Sequence, residues 1–185
     1  MKDTALDILI EGCLNGNRSE QKELYKAFYG LAFNVCLRYA GNRNDASEIV
    51  NQGFLNVFLN LKKYRKDMVF AIWLKKIMVN KAIDFYRKNL KLTLQDDPDV
   101  AEYLSSNELP ENRIMHEDLL NLIQTLPNAY RIVFNLYAIE GYSHNEISVK
   151  LRISPGSSKS KLSKARRELQ SKIFELDIKR IKQEN

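Results

Sequence analysis

Apolar residues recur every third or fourth position through most of the chain, a spacing that suits helices and little else. From Leu6 to Tyr39 the residues Leu24, Ala27, Phe28, Leu31, Ala32, Val35 and Cys36 mark one buried stripe of an element turning about 100° per residue. Gly41-Asn42-Arg43-Asn44 breaks it. A second stripe follows in Ala46, Val50, Phe54, Val57, Phe58 and Leu61, with Asn44 the expected N-cap, Asp45 and Glu48 at the positive end, and an end near Tyr64. A third helix is expected from about Val69 to Asn89, carrying Phe70, Trp73, Leu74, Ile77 and Phe85. Gly and Pro number only 7 and 4, and the alternation of half-buried strands hardly occurs. The spacing predicts an all-α protein.

Periodicity lapses from about Leu90 to Asn112, where Gln95-Asp96-Asp97-Pro98-Asp99 and Glu108-Leu109-Pro110-Glu111 gather acid and two of the four prolines. It resumes from Arg113 to Gln124, breaks at Leu126-Pro127 and continues from Ala129 to Ile139. Two small helical domains, 1–90 and 113–185, joined by an acidic linker, 91–112, are therefore expected. Charge follows the same division. Residues 1–90 hold 15 Lys/Arg against 9 Asp/Glu, residues 91–117 hold 2 against 7, and residues 118–185 hold 12 against 7. Two basic blocks flanking an acidic one are the footprint of a nucleic-acid binder, since cations displace the counterions of phosphates; a lysine-rich solvated surface is the plain alternative.

Other classes find little support. Cys13 and Cys36 lie within expected helices without a second ligand nearby, so neither zinc nor a disulfide is indicated, and a reducing cytoplasm fits. Asp7 and Glu11 interrupt the apolar N-terminal run, no export signal is visible, and no membrane insertion is expected. Clustered carboxylates, a phosphate-cradling Gly-rich loop and a nucleophile with a matching base are missing. His116 and His144 stand alone, and His144 is expected to be a solvent-exposed polar residue. No enzyme, cofactor or small-molecule substrate is indicated.

The second domain carries the sharpest motif. Gly141 suits a helix end, Ser143 with Glu146 three residues later makes a capping box, and Ile147 and Leu151 share one face of a short helix. Arg152-Ile153-Ser154 then turns the chain, with Ser154 capping a further helix whose first residue is Pro155. Such a helix-turn-helix lays its second helix in the major groove, and here that helix offers Ser157, Ser158, Lys159, Ser160, Lys161, Ser163, Lys164, Arg166 and Arg167, with Leu162, Ala165 and Leu169 to pack. In the first domain, Lys76, Asn80 and Arg87 share one side of the third helix with Trp73 beside them.

Leu126-Pro127 with Tyr130-Arg131, then Glu140-Gly141-Tyr142-Ser143, Glu146-Ile147 and the run Lys159 to Arg166 are similar to region 4 of the extracytoplasmic-function (ECF) RNA polymerase sigma factors of the sigma-70 family. Asp45-Ala46-Ser47-Glu48-Ile49-Val50 with Phe54 resembles region 2.2 of that family, and Phe70, Trp73, Asn80 to Asp84 and Arg87-Lys88 resemble regions 2.3 and 2.4. Where the family carries Gln followed by an acid, this chain has Asn51, Gln52 and Gly53, and Ser158 stands where the family places a packing valine.

The resemblance implies that the helix from Asn44 to Tyr64 docks on the clamp helices of core RNA polymerase through Asp45, Glu48, Ile49, Asn51, Gln52 and Leu55. It implies that Tyr64, Arg65, Lys66, Trp73, Lys76, Asn80, Asp84 and Arg87 meet the −10 element, with flipped non-template bases held by aromatics, polar edges and cations. Trp73 reads equally as core. Lys159, Ser160, Ser163 and Lys164 would face the bases of the −35 duplex, and Lys161, Arg166 and Arg167 its phosphates. The partners implied are core polymerase, promoter DNA and an anti-sigma factor. The acidic linker suits either a basic channel of the polymerase or a solubilising tether. A helix-turn-helix regulator without polymerase docking would explain the second domain but not the ordered set from Asp45 to Arg87.

Overall fold

The computed structural model describes residues 4–96 and 116–183. Among them are eight α-helices and no strand, and none of these helices is long and apolar enough to cross a membrane. The chain divides into two compact units, Met1–Phe85 and Tyr86–Asn185.

The first unit opens with α1 (Thr4–Leu14) and α2 (Arg18–Leu37). The single stripe read from Leu6 to Tyr39 is in fact split. Gly16 takes φ +77°, a left-handed conformation glycine adopts without steric cost, and Asn17 caps α2 by accepting from the Ser19 amide at 3.0 Å. The split changes what is buried: Leu24, Ala32, Val35 and Cys36 lie inside as expected and Ile10 and Phe33 join them, whereas Ala27 and Leu31 are exposed.

Helix α3 (Arg43–Asn60) is capped by Asn42, not Asn44. Asn42 has the extended backbone a cap requires and its side chain accepts from the Asp45 amide at 2.9 Å, while Asn44 already lies in the first turn. A single 3₁₀ turn, Leu61–Lys63, leads by a loop to α4 (Phe70–Asp96). This helix passes the expected stop at Asn89, because Leu, Lys and Gln propagate it. Residues 97–112 of the expected linker lie outside the described residues, as do 113–115.

Edge and tilted aromatic contacts tie α2 to its neighbours: Tyr25 to Phe54 at 4.6 Å and Phe28 to Phe70 at 4.8 Å. Both cysteines are buried free thiols, and burial pushes Cys36 up to about 12, which leaves no thiolate for chemistry at neutral pH.

The second unit, whose boundary at Tyr86 falls within α4, holds α5 (His116–Gln124), α6 (Asn128–Phe134) with a π-helical turn at Asn135–Ile139, α7 (His144–Leu151) and α8 (Pro155–Gln183). Leu126 and Tyr130 pack with Ala165 and Leu169 of α8, surrounded by Leu122, Ala129 and Phe134. Arg131 is wholly buried. Its guanidinium donates to the Gln124 carbonyl at 2.8 Å and to the Asn128 side chain, so it closes the C-terminus of α5, and its own carbonyl accepts from the Asn135 amide group at 2.9 Å.

Candidate nucleic-acid interface

The helical corner forms as the local sequence dictates. Ser143 Oγ accepts from the Glu146 amide at 3.3 Å, and the Glu146 carboxylate accepts from the Ser143 amide at 2.8 Å and from its hydroxyl at 2.7 Å. Arg152 ends α7 in the left-handed region, φ 56°, and Ser154 Oγ accepts from the Ser157 amide at 3.0 Å to start α8. Ile147 and Leu151 are buried, as the pattern requires.

Along α8 the buried side is Ser158, Leu162, Ala165 and Leu169. Opposite them, Ser160, Ser163, Lys164 and Arg167 face solvent, with Lys159 and Arg166 on one flank and Lys161 on the other. Lys161 and Lys164 lie 5.9 and 5.6 Å from the Tyr130 ring, and Arg166 lies 5.6 Å from the Tyr137 ring, so aromatic faces fix the flanking cations. Arg167, assigned with Lys161 and Arg166 to phosphates, sits in the middle of the exposed face.

Ser158 is not offered to solvent. It is 0% exposed, and its hydroxyl lies 2.9 Å from His144 Nδ1. His144 is likewise not the solvent-exposed residue expected from its place in the capping turn: its ring stacks on Tyr137 at 4.6 Å, the planes 22° apart. Tyr137, His144, Lys159, Ser163, Arg166 and Gln170 line a groove of about 410 Å³ beside α8. Tyr137 and His144 were not legible as site residues, since only the folded corner brings them beside the basic helix, whereas Gln170 lies on that helix four residues beyond Arg166 and was passed over.

In the first unit α3 presents one stripe of Glu48, Gln52, Leu55 and Leu59 at intervals of four, three and four. Leu55 and Leu59 are 61% and 74% exposed, and Gln52 donates to Glu48 at 2.9 Å. Asn51 is exposed and accepts from the Tyr25 hydroxyl at 3.0 Å, and Asp45 is half-buried in the first turn. Ile49 departs from its expected docking role. It is 1% exposed because it falls on the same side as Ala46, Val50 and Phe54, and its side chain belongs to the core. Leu59, exposed on the same stripe, was not singled out from the sequence.

The residues assigned to the −10 element fall into two groups. Tyr64 donates its hydroxyl to the Met68 carbonyl at 2.7 Å, and its ring lies 5.3 Å from both Phe70 and Trp73. Burial, then Asp7 and Asp67, push its phenol above the ordinary range. Half-buried Trp73 thus braces the loop before α4 through its ring contacts with Tyr64 and Phe70. Arg65 is paired with Asp67 at 2.6 Å, and Lys66 stands 3.9 Å from Asp7. Lys76, Asn80 and Asp84 are exposed along one side of α4, Asp84 lying 3.8 Å from Lys81. Arg87, partly buried, continues their line one turn further.

Among the described residues no group of His, Cys, Asp and Glu is arranged to hold a metal ion.

Two family models match this chain: Sigma-70 region 2 over residues 24–91 and Sigma-70, region 4 over residues 116–169. SigW of Bacillus subtilis, an ECF RNA polymerase sigma factor, is 26% identical over 174 residues, covering 87% of this chain and 92% of that protein. The ECF sigma factor SigE of Mycolicibacterium smegmatis is 25% identical over 152 residues, covering 80% of this chain but only 59% of that longer relative. A solved complex of the sigma factor RpoE with the anti-sigma factor NepR from Bartonella quintana superposes with a TM-score of 0.49 at 18% identity, covering 81% of this chain and 96% of that one. With Sigma-70 regions 2 and 4 matched in order and an ECF relative aligned across both of them, the chain belongs to the ECF group of the sigma-70 family.

Proposed function

We propose that this sigma factor binds core RNA polymerase through the exposed stripe of α3 and directs promoter-specific initiation by reading two promoter elements with its two units. In the first unit Glu48, Gln52, Leu55 and Leu59 meet polymerase, with Asp45 and Asn51 beside them. Two exposed leucines on the otherwise polar outward stripe of α3 are surface a partner would cover. Lys76, Asn80, Asp84 and Arg87 follow the −10 strand along α4, while Arg65 and Lys66 leave their surface pairs for phosphates. Such pairs are weak, contributing about 0 to 1 kcal/mol each.

In the second unit α8 enters the major groove of the −35 duplex. Lys159, Ser160, Ser163 and Lys164 approach base edges, and Lys161 and Arg166, on opposite flanks, reach the two phosphate walls. Arg167, at the centre of the exposed face, is placed for either. The observation that carries this reading is the basic, hydroxyl-rich side of α8 that faces solvent after a helical corner whose first helix, α7, opens with a fully formed capping box. RNA synthesis itself belongs to the core enzyme, and the protein acts in the cytoplasm where that enzyme works. An anti-sigma factor that holds it inactive would cover the same two surfaces.

The test is transcription in vitro with cognate core polymerase and no other sigma factor. Promoter-specific transcripts are expected; a folded protein that yields none, yet alters transcription by polymerase already carrying another sigma factor, would establish a helix-turn-helix regulator instead.

A further inference from the structure

A fully buried serine hydroxyl on the packing side of a helix costs free energy unless it is hydrogen-bonded. Ser158 is in this position, and its backbone amide is already committed to the Ser154 carbonyl at 3.0 Å. Its hydroxyl is satisfied across the corner by His144 Nδ1 at 2.9 Å. His144 is the first residue of α7, and stacking on Tyr137 at 4.6 Å holds its ring plane. One polar contact therefore links the beginnings of α7 and α8 to the π-helical turn after α6. The two residues that follow Ser158 are Lys159 and Ser160, the first side chains of α8 to reach a base edge.

We propose that His144 is a positioning residue for −35 reading: through Ser158 it sets how the first turn of α8 seats in the groove, and hence where Lys159 and Ser160 meet the bases. The inference rests on reading the second unit as the −35 reader. An apolar contact at this joint would tolerate sliding, since dispersion is non-directional, whereas a hydrogen bond at a fixed ring edge sets both distance and angle. Losing it leaves the flanking phosphate contacts of Lys161 and Arg166 largely intact. The effect falls on discrimination between sequences more than on affinity for DNA as such.

The experiment uses holoenzyme assembled from core polymerase and the full chain, offered a promoter library randomised at both −35 and −10. Wild type is expected to select a defined sequence at each. His144→Ala should lower enrichment at −35 about tenfold, as a misplaced base contact does, while enrichment at −10 stays within twofold. Ser158→Ala, which leaves the ring stack in place, should do the same, and the double variant should lose no more than either single. His144→Asn, whose side-chain amide can occupy the position of Nδ1, should restore most of the −35 enrichment. Merely structural damage would not be rescued this way. If Ser158→Ala folds with unchanged melting and keeps wild-type −35 enrichment, or if the two single losses add, the positioning role is refuted. If wild-type holoenzyme itself selects nothing at −35, the reading of the second unit fails, and this inference falls with it.

Discussion

Gly53 of α3 lies so close to Met78 of α4 that a Cβ at position 53 would overlap the methionine sulfur. Both residues are buried in the core of the first unit. Of Asn51, Gln52 and Gly53, only the first two therefore face outward, and the glycine packs inward against Met78. Gly53→Val should destabilise the first unit by about 2 kcal/mol, overpacking outweighing the gain of replacing a mid-helix glycine. Met78→Ala in the same chain should recover part of that loss. Trp73, the only tryptophan, belongs to this unit, so its fluorescence during denaturant unfolding follows the change; a fully stable single variant would show that the end of the Met78 side chain swings aside at little cost.

Arg131 closes α5 by donating to the Gln124 carbonyl from a fully buried position. Arg131→Met would fill much of the same space and leave that carbonyl without its donor, a loss of about 2 to 3 kcal/mol by the cost of hydrogen bonds to charged groups. Trp73 does not report on the second unit, so far-ultraviolet circular dichroism with amide exchange is the measurement. Amides of α5 and α6 should lose protection before those of α2 and α3.

Glu146 accepts from Ser143 twice, and these bonds, the backbone one first, hold its carboxyl below its ordinary 4.5. A lowered carboxylate contributes stability that is present above the ordinary value and disappears as pH falls through the folded one. Melting of the second unit should therefore weaken on acidification below about pH 4.5. In Glu146→Gln that acid dependence should be flatter, and Ser143→Ala should cost about 1 kcal/mol at neutral pH. Identical pH profiles for Glu146→Gln and the parent would mean the capping box is not maintained in solution.

Leu55 and Leu59 are the apolar part of the stripe on α3. Because both are largely exposed, Leu55→Asp and Leu59→Asp should leave melting nearly unchanged while lowering affinity for core polymerase at least about tenfold, the effect of removing a central apolar anchor. Glu48→Lys should act in the same direction. Competition against labelled wild-type chain for core polymerase gives the number directly. Wild-type affinity in both leucine variants would move the docking surface off α3.

Much of this protein was legible without coordinates. All-helical character, the break between Tyr39 and Ala46, the capping box at Ser143 and the basic side of α8 follow from local rules: periodicity, caps and charge act within a few residues of one another. Local rules also misplaced some features for an identifiable reason. Asn42 and Asn44 are equally good caps by composition, and the backbone geometry at residue 42 decided between them. Ile49 looked like part of an interface motif until its side was seen to be the core side.

Only tertiary structure could show that His144 serves Ser158, that Gly53 makes room for Met78, and that Tyr130 and Tyr137 lie against the flanking cations Lys161 and Arg166 of α8. Each of these joins residues on different helices, and helical periodicity carries no information about which stripe meets which. The amino-acid order determined the helices, their caps and the sign of their surfaces, because those depend on neighbours along the chain. Packing decided which hydroxyl is buried, which leucines remain uncovered and which ring fixes which cation, because those depend on where one helix ends up against another.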